Sequence, residues 1–288
     1  MPGDEWEWAW EDVVNPPLGG RLHKPRDHGL TMVIDKGLGY LETRDLLELG
    51  AAHIDIYKLT FGTSACYGMK VLREKIGLVR SYGVDVCPGG TMLEVAVFQG
   101  AMEKFIERAR RLGFSLIEVS DGVAPMTFAQ REACIRAARD AGLRVVTEVG
   151  KKLPSQAISP LEMAAQAVAD LENGAWKVIV EARESGKGVG IYDQDGAIKV
   201  TDMELIAAGV GRPEAIIWEA PLKEQQVALI LRFGPNVNLG NIPPQDVIVL
   251  EAMRLGLRAD TFKPGYTALQ AHASPRSMVA GDNGQSCP

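Results

Sequence analysis

Residues 115–149 read SLIEVSDGVAPMTFAQREACIRAARDAGLRVVTEV. The segment opens on a short apolar, β-branched run from Ser115, S-L-I-E-V-S, and closes on a second from Leu143, L-R-V-V-T-E-V. Between them, Thr127 to Ala141 carries apolar residues at three- and four-residue spacing; Thr127 suits an N-cap, and Gly142 follows where a left-handed residue ends a helix. Strand, crossover helix and strand make a parallel βαβ unit, because parallel neighbours need a connection of a dozen or more residues.

The same beat runs through the chain. Further runs begin near Leu30, His53, Val84, Trp176, Ala215 and Asn236, so the eight starts lie 23, 31, 31, 28, 33, 39 and 21 residues apart. Helical spacing recurs over Met69 to Tyr82, Glu103 to Leu112, Pro160 to Asn173 and Lys223 to Phe233, with Ser159 as a second N-cap and Gly113 and Gly174 as further helix ends. Eight βα units predict an α/β fold of the (β/α)8 TIM-barrel type in a single domain. The rival is an open doubly wound sheet; no G-x-G-x-x-G follows the first run, which counts against it. Residues 21–270 are read as the catalytic barrel and 1–20 as an acidic, Trp-rich extension placed to latch over the barrel floor. Residues 271–288, small, polar and turn-forming, are read as a disordered tail.

The chain has 288 residues, 46% hydrophobic and 24% charged, and 31 basic against 37 acidic side chains give a net charge of −6. That is an ordinary globular composition without the basic footprint of a nucleic-acid or anionic-membrane binder, so an anionic substrate must be caught locally. Cys66, Cys87, Cys134 and Cys287 form no C-x-x-C pair, which points to reduced thiols. No run approaches the roughly 18 apolar residues of a membrane span, and the start lacks the basic and apolar regions of a signal peptide. A cytoplasmic setting and a homo-oligomer are expected, with no nucleic-acid or membrane partner.

In a parallel barrel the C-terminal strand ends and the loops after them form the active face. Charged residues close or follow nearly every run: Asp35, Lys58, Glu118, Glu148 with Lys151 and Lys152, Glu181 with Arg183 and Glu184, and Glu219. A single carboxylate there is more often a loop-orienting acceptor than a catalytic group. Four glutamates converging on one mouth, Glu118, Glu148, Glu181 and Glu219, cannot all stay ionised without a cation or basic partners, and a hard divalent metal such as Mg²⁺ is the economical answer. Lys58 and Lys151 supply the opposite sign, as Schiff-base former, proton donor or ion-pair partner. The loops Thr60 to Ser64, Pro88 to Thr91, Ser120 to Gly122 and Arg183 to Gly188 are rich in glycine and hydroxyls, which lets backbone amides approach an oxyanion, and Arg183 adds a planar fork. Asn238 and Asn241 in the last run offer a phosphate cradle or satisfy turn backbone. Gln225 and Gln226 are read as orienting or structural groups, and the histidines show no ligand spacing.

The strings G-L-T-M-V-I-D-K-G, K-L-T-F-G-T-S, P-G-G-T, I-E-V-S-D-G, T-E-V-G-K-K, E-A-R-E-S-G-K-G, W-E-A-P-L-K-E-Q-Q and V-N-L-G-N-I, spread over about Gly29 to Phe262, resemble the phosphosulfolactate synthase family. The resemblance implies a (β/α)8 barrel and a carbon–sulfur lyase that uses Mg²⁺ to add sulfite to phosphoenolpyruvate, giving 2-phospho-3-sulfolactate, the first step toward coenzyme M in methanogens. From their strand-end positions Glu148, Glu181 and Glu219 are assigned to the metal and Lys151, with Lys58, to catalysis, Lys151 as the general acid. Arg183, Ser185, Gly186, Asn238 and Asp35 are assigned to the substrates. One departure stands out. The family's loop after the second strand commonly reads G-W-G-T-S, whereas this chain has Thr60-Phe61-Gly62-Thr63-Ser64, which loses a glycine and an indole donor. The alternatives are therefore the same enediolate chemistry with another nucleophile or carboxylate, or a non-catalytic heat-stress barrel, since plant proteins linked to heat tolerance resemble the family. A scaffold gains nothing from clustering uncompensated carboxylates, which favours an enzyme.

Overall fold

The computed structural model describes residues 9, 10, 12–263 and 267. The expected tail at 271–288 and residues 1–8 of the extension lie outside them.

All eight runs are strands: β1 Thr31–Asp35, β2 Ile56–Leu59, β3 Asp85–Cys87, β4 Leu116–Val119, β5 Arg144–Val149, β6 Lys177–Val180, β7 Ile216–Glu219 and β8 Asn238–Ile242. They form one parallel sheet in the order β3-β2-β1-β8-β7-β6-β5-β4. β8 pairs with β1, the contact that the sequence alone could not establish. The free edges meet where Ser115 N donates to Val86 O at 3.2 Å and Ser115 Oγ accepts from Val86 N at 3.0 Å, so the sheet is a nearly closed (β/α)8 barrel and the open doubly wound alternative falls.

The helices are α1 Tyr40–Gly50, α2 Met69–Ser81, α3 Gly90–Phe98, α4 Met102–Leu112, α5 Phe128–Asp140, α6 Pro160–Glu172, α7 Val200–Val210, α8 Lys223–Phe233 and α9 Val247–Arg254. Thr127 and Ser159 cap α5 and α6, each hydroxyl accepting from the amide three residues on. α1, α3 and α7 were not legible as helices; α3 and α7 are largely apolar around their circumference, so no polar face marks a period.

Strand side chains alternate between the barrel interior and the helix-facing core. Met32, Ile56, Cys87, Leu116, Val146, Ile179 and Ile217 form one buried interior cluster, a residue from each of seven strands. β8 contributes Gly240, where a methyl group would meet Met32 Cε at 2.7 Å and Ile217 Cγ2 at 3.1 Å. Two residues further on from six of these, on the same face, come Ile34, Lys58, Glu118, Glu148, Glu181 and Glu219, and from Cys87 comes Gly89. An apolar plug thus sits directly beneath a charged layer.

The structure also places two of the expected substrate residues away from the mouth. Asp35 follows the inward Ile34 and so faces outward. It is fully buried, pairs with Lys75 of α2, and accepts from the amides of Gly37 and Leu38 at 2.7 Å each, which makes it a loop anchor rather than a substrate ligand. Asn238 lies at the floor. Its amide donates to the carbonyls of Glu214 and Ile216 at 2.8 Å and accepts from Leu30 N at 3.0 Å, tying β7, β8 and β1 together. Near it, Arg21 pairs with Glu251 at 2.8 Å, Arg254 donates to the carbonyls of Pro235, Val237 and Leu30, and Leu18 N donates to Leu255 O at 3.1 Å.

Asn238→Ala is expected to lower stability by about 2–4 kcal/mol in urea denaturation, because it leaves buried backbone groups unpaired. It should leave KM unchanged; a raised KM with unaltered stability would return Asn238 to the substrate.

Candidate active site

The charged layer opens into a cavity of about 660 Å³ at the C-terminal mouth, lined among others by Lys58, Glu118, Glu148, Lys152, Glu181, Arg183, Ser185, Glu219 and Asn241. Lys58 Nζ lies 2.8 Å from Glu118 Oε2, 3.6 Å from Glu219 Oε1 and 3.7 Å from Glu148 Oε2. Lys152 bridges Glu148, at 2.7 Å, and Glu181. The second oxygens are held by backbone: Glu118 accepts from Gly90 N at 2.9 Å, Glu219 from Ala182 N at 2.9 Å, and Glu181 from Arg183 N. Behind β5, buried Arg131 donates to Glu148 O at 2.8 Å and pairs with Asp170, which fixes the strand end that carries Glu148.

Glu148, Glu181 and Glu219 each offer an oxygen within 4.8 Å of the others. Glu148 Oε2 is buried without a hydrogen-bond partner. Three hard carboxylate oxygens this close together suit a small divalent cation. Burial pushes the carboxyls of Glu118, Glu181 and Glu219 above the ordinary value of 4.5. At Glu181 the charges on Glu148 and Glu219 push the same way, whereas Lys58 works against burial at Glu118 and Glu219. Burial acts likewise on Glu148, but the Lys152 and Lys58 ammoniums override it and hold that carboxyl far down. Both lysines stay protonated despite burial because the glutamates face them.

The three expected metal ligands, Lys58, Arg183 and Ser185 therefore share one cavity. Gly186 does not line it: a side chain there would meet Gln225 at 2.8 Å and Pro221 at 2.9 Å, and its carbonyl accepts from Gln225 Nε2 at 2.7 Å. Gln225 is thus structural, holding the 183–188 loop. Lys151 turns away from the mouth to pair with Asp121 of the loop after β4, and its neighbour Lys152 enters instead. The reading of the sequence passed over Lys152 because the K-K pair gives no cue to which lysine points inward. Asn241, expected as a phosphate cradle or a turn residue, and Phe61, from the loop that departs from the family pattern, both line the cavity.

An acidic cluster with facing cations at the C-terminal mouth of the strands has the layout of a barrel enzyme's active face. The (2R)-phospho-3-sulfolactate synthase (ComA) family model matches residues 19–260, and the chain belongs to that family. Phosphosulfolactate synthase of Methanothermobacter thermautotrophicus is 41% identical over 253 residues, covering 87% of this chain and 96% of the relative. That of Bacillus subtilis is 39% identical over 245 residues, covering 84% and 95%. Among solved structures, a 3-hexulose-6-phosphate synthase aligns with a TM-score of 0.51 at 16% identity, covering 85% of this chain and all of the other, a likeness of fold alone.

A carboxyl that binds its proton more tightly when folded stabilises the chain below its unfolded value and gives up that stability as pH rises through its folded value. The ligand-free protein is expected to lose stability from Glu118, Glu181 and Glu219 as pH rises above 4.5. Glu181→Gln should raise the unfolding temperature at neutral pH by roughly 2–4 °C, the shift that about 1 kcal/mol produces in a chain approaching this size. A fall would show that the Lys152 contact outweighs the repulsion.

Proposed function

We propose that this cavity adds sulfite to phosphoenolpyruvate, giving 2-phospho-3-sulfolactate, the reaction of a carbon–sulfur lyase. The observation that carries the reading is the Glu148, Glu181 and Glu219 cluster facing Lys58, Lys152 and Arg183 in one cavity. In this reading Glu148, Glu181 and Glu219 hold Mg²⁺, which when bound supplies positive charge where the substrate carboxylate gains electron density.

The remaining work falls to the chain's own groups. Lys58, pinned by three carboxylates and 7% exposed, balances charge and presents a fixed cation to an anionic substrate. The Arg183 side chain makes no ion pair among the described residues, and with Ser185 it is free to take phosphate or sulfite oxygens. Sulfur bonds to the terminal methylene carbon, and the carbon that bears the phosphate must then take a proton. Lys152 takes over the role expected of Lys151: its ammonium lies in the cavity on a flexible stem, and a cation bound by Glu148 and Glu181 would displace it from those carboxylates and loosen its hold on the proton.

The Thr60-Phe61 departure favours a second reading, the same chemistry with another nucleophile. Incubating the protein with phosphoenolpyruvate, sulfite and Mg²⁺ and detecting 2-phospho-3-sulfolactate by mass tests the first. Consumption of phosphoenolpyruvate only with a different nucleophile would replace it with the second. Lys152→Ala should lower kcat by about 10²–10⁴-fold, the usual range for a lost general acid, while Lys151→Ala stays within about tenfold of the parent. The reverse order would restore Lys151.

A further inference from the structure

Among the described residues, three non-glycine residues adopt positive φ: Phe61 at 57°, Arg183 at 59° and Asn241 at 55°. All three line the same cavity. Such backbone is unfavourable for L-residues with side chains, least so for Asn, and it persists where the surroundings impose it.

Asn241 shows what the strain achieves. Regular alternation along β8 would send Leu239 outward, Gly240 inward, Asn241 outward and Ile242 inward. Leu239 and Ile242 both belong instead to the helix-facing core, and Asn241 joins Gly240 on the inner side. The pairing with β1 records the insertion, since Thr31 aligns with Leu239 but Val33 with Ile242. This one-residue bulge turns the Asn241 amide into the cavity, and bulges beside active sites commonly re-aim a side chain in this way. The residue is 6% exposed, and its side chain has no hydrogen-bond partner among the described residues. Its amide is open to the cavity, where an oxygen of a bound ligand can reach it.

Phe61 repeats the pattern at the rim. Phe61 and Gly62, φ 57° and 68°, are the central pair of a tight turn closed by Thr63 N donating to Thr60 O at 3.1 Å. Turns with two left-handed central residues favour Asn, Asp or Gly at the first. Phe61 gains little burial in return, being 57% exposed.

We propose that the β8 bulge and the tight turn at Phe61 serve substrate recognition: the Asn241 amide hydrogen-bonds an oxygen of the bound phosphorylated carboxylate, and the Phe61 ring covers that ligand from the rim. The inference rests on reading the cavity as a phosphoenolpyruvate site, and it adds Asn241 and Phe61 to the groups that touch the substrate.

The test titrates phosphoenolpyruvate calorimetrically, with Mg²⁺ present, into the parent and into Asn241→Gly, Asn241→Asp and Phe61→Gly, and records each ligand-free unfolding temperature. Glycine accepts the left-handed backbone, so Asn241→Gly and Phe61→Gly should unfold at or above the parent's temperature. Both should bind more weakly, Asn241→Gly by about tenfold or more, as expected for a lost hydrogen bond to a charged group. Asn241→Asp keeps the shape and sets a carboxylate against the anion, so it should bind more weakly still. Parent-like affinity in Asn241→Gly or Asn241→Asp overturns the proposal, as does a lowered unfolding temperature with unchanged affinity in either glycine variant. If Asn241→Gly loses fold and affinity together, the affinity of Asn241→Asp decides. A parent that does not bind phosphoenolpyruvate overturns the underlying functional reading and this inference with it.

Discussion

The contact between Lys58 and the carboxylates of Glu118, Glu148 and Glu219 is the constraint on which the mouth of this barrel depends. An ammonium taken out of water is unfavourable by several kcal/mol unless opposite charge surrounds it, and the same holds for each buried carboxylate. Neither side of this cluster could be buried alone. Four glutamates still outnumber Lys58 and Lys152, and burial, reinforced by the neighbouring carboxylates, raises the carboxyls of Glu118, Glu181 and Glu219. Such a cluster is poorly suited to holding a fold together and well suited to receiving a cation.

Stability is secured elsewhere. The plug beneath the charged layer is apolar, from Met32 to Ile217. The floor is tied by Asn238, Arg254 and the Arg21–Glu251 pair, at the opposite end of the strands from the cavity. This division lets the upper layer carry repulsion, strained backbone and an unpartnered amide without unfolding the barrel, and it matches the general separation of active and structural faces in this architecture.

Much of this was legible in the sequence, for identifiable reasons. Short β-branched runs at regular intervals gave all eight strands, and a glutamate at the end of four of them gave the acidic mouth. Parity along a strand was the available signal left unused. Counting two residues on from Ile56, Leu116, Val146, Ile179 and Ile217 reaches Lys58, Glu118, Glu148, Glu181 and Glu219, and the same count excludes Asp35. Asn238 and Asn241 could not be sorted that way, because a bulge breaks the parity between them and pattern alone does not show a bulge. The choice between Lys151 and Lys152 depended on the path of the chain after β5, where Gly150 at φ 111° redirects it. That turn has no periodic signature.

We propose that the carboxylate cluster above the apolar plug is a metal site. Calorimetric titration of Mg²⁺ into the ligand-free protein tests it directly, with a Glu181→Gln, Glu219→Gln double variant alongside. The parent should take up a single ion per chain and the variant none. No uptake by the parent, or equal uptake by both, would contradict it.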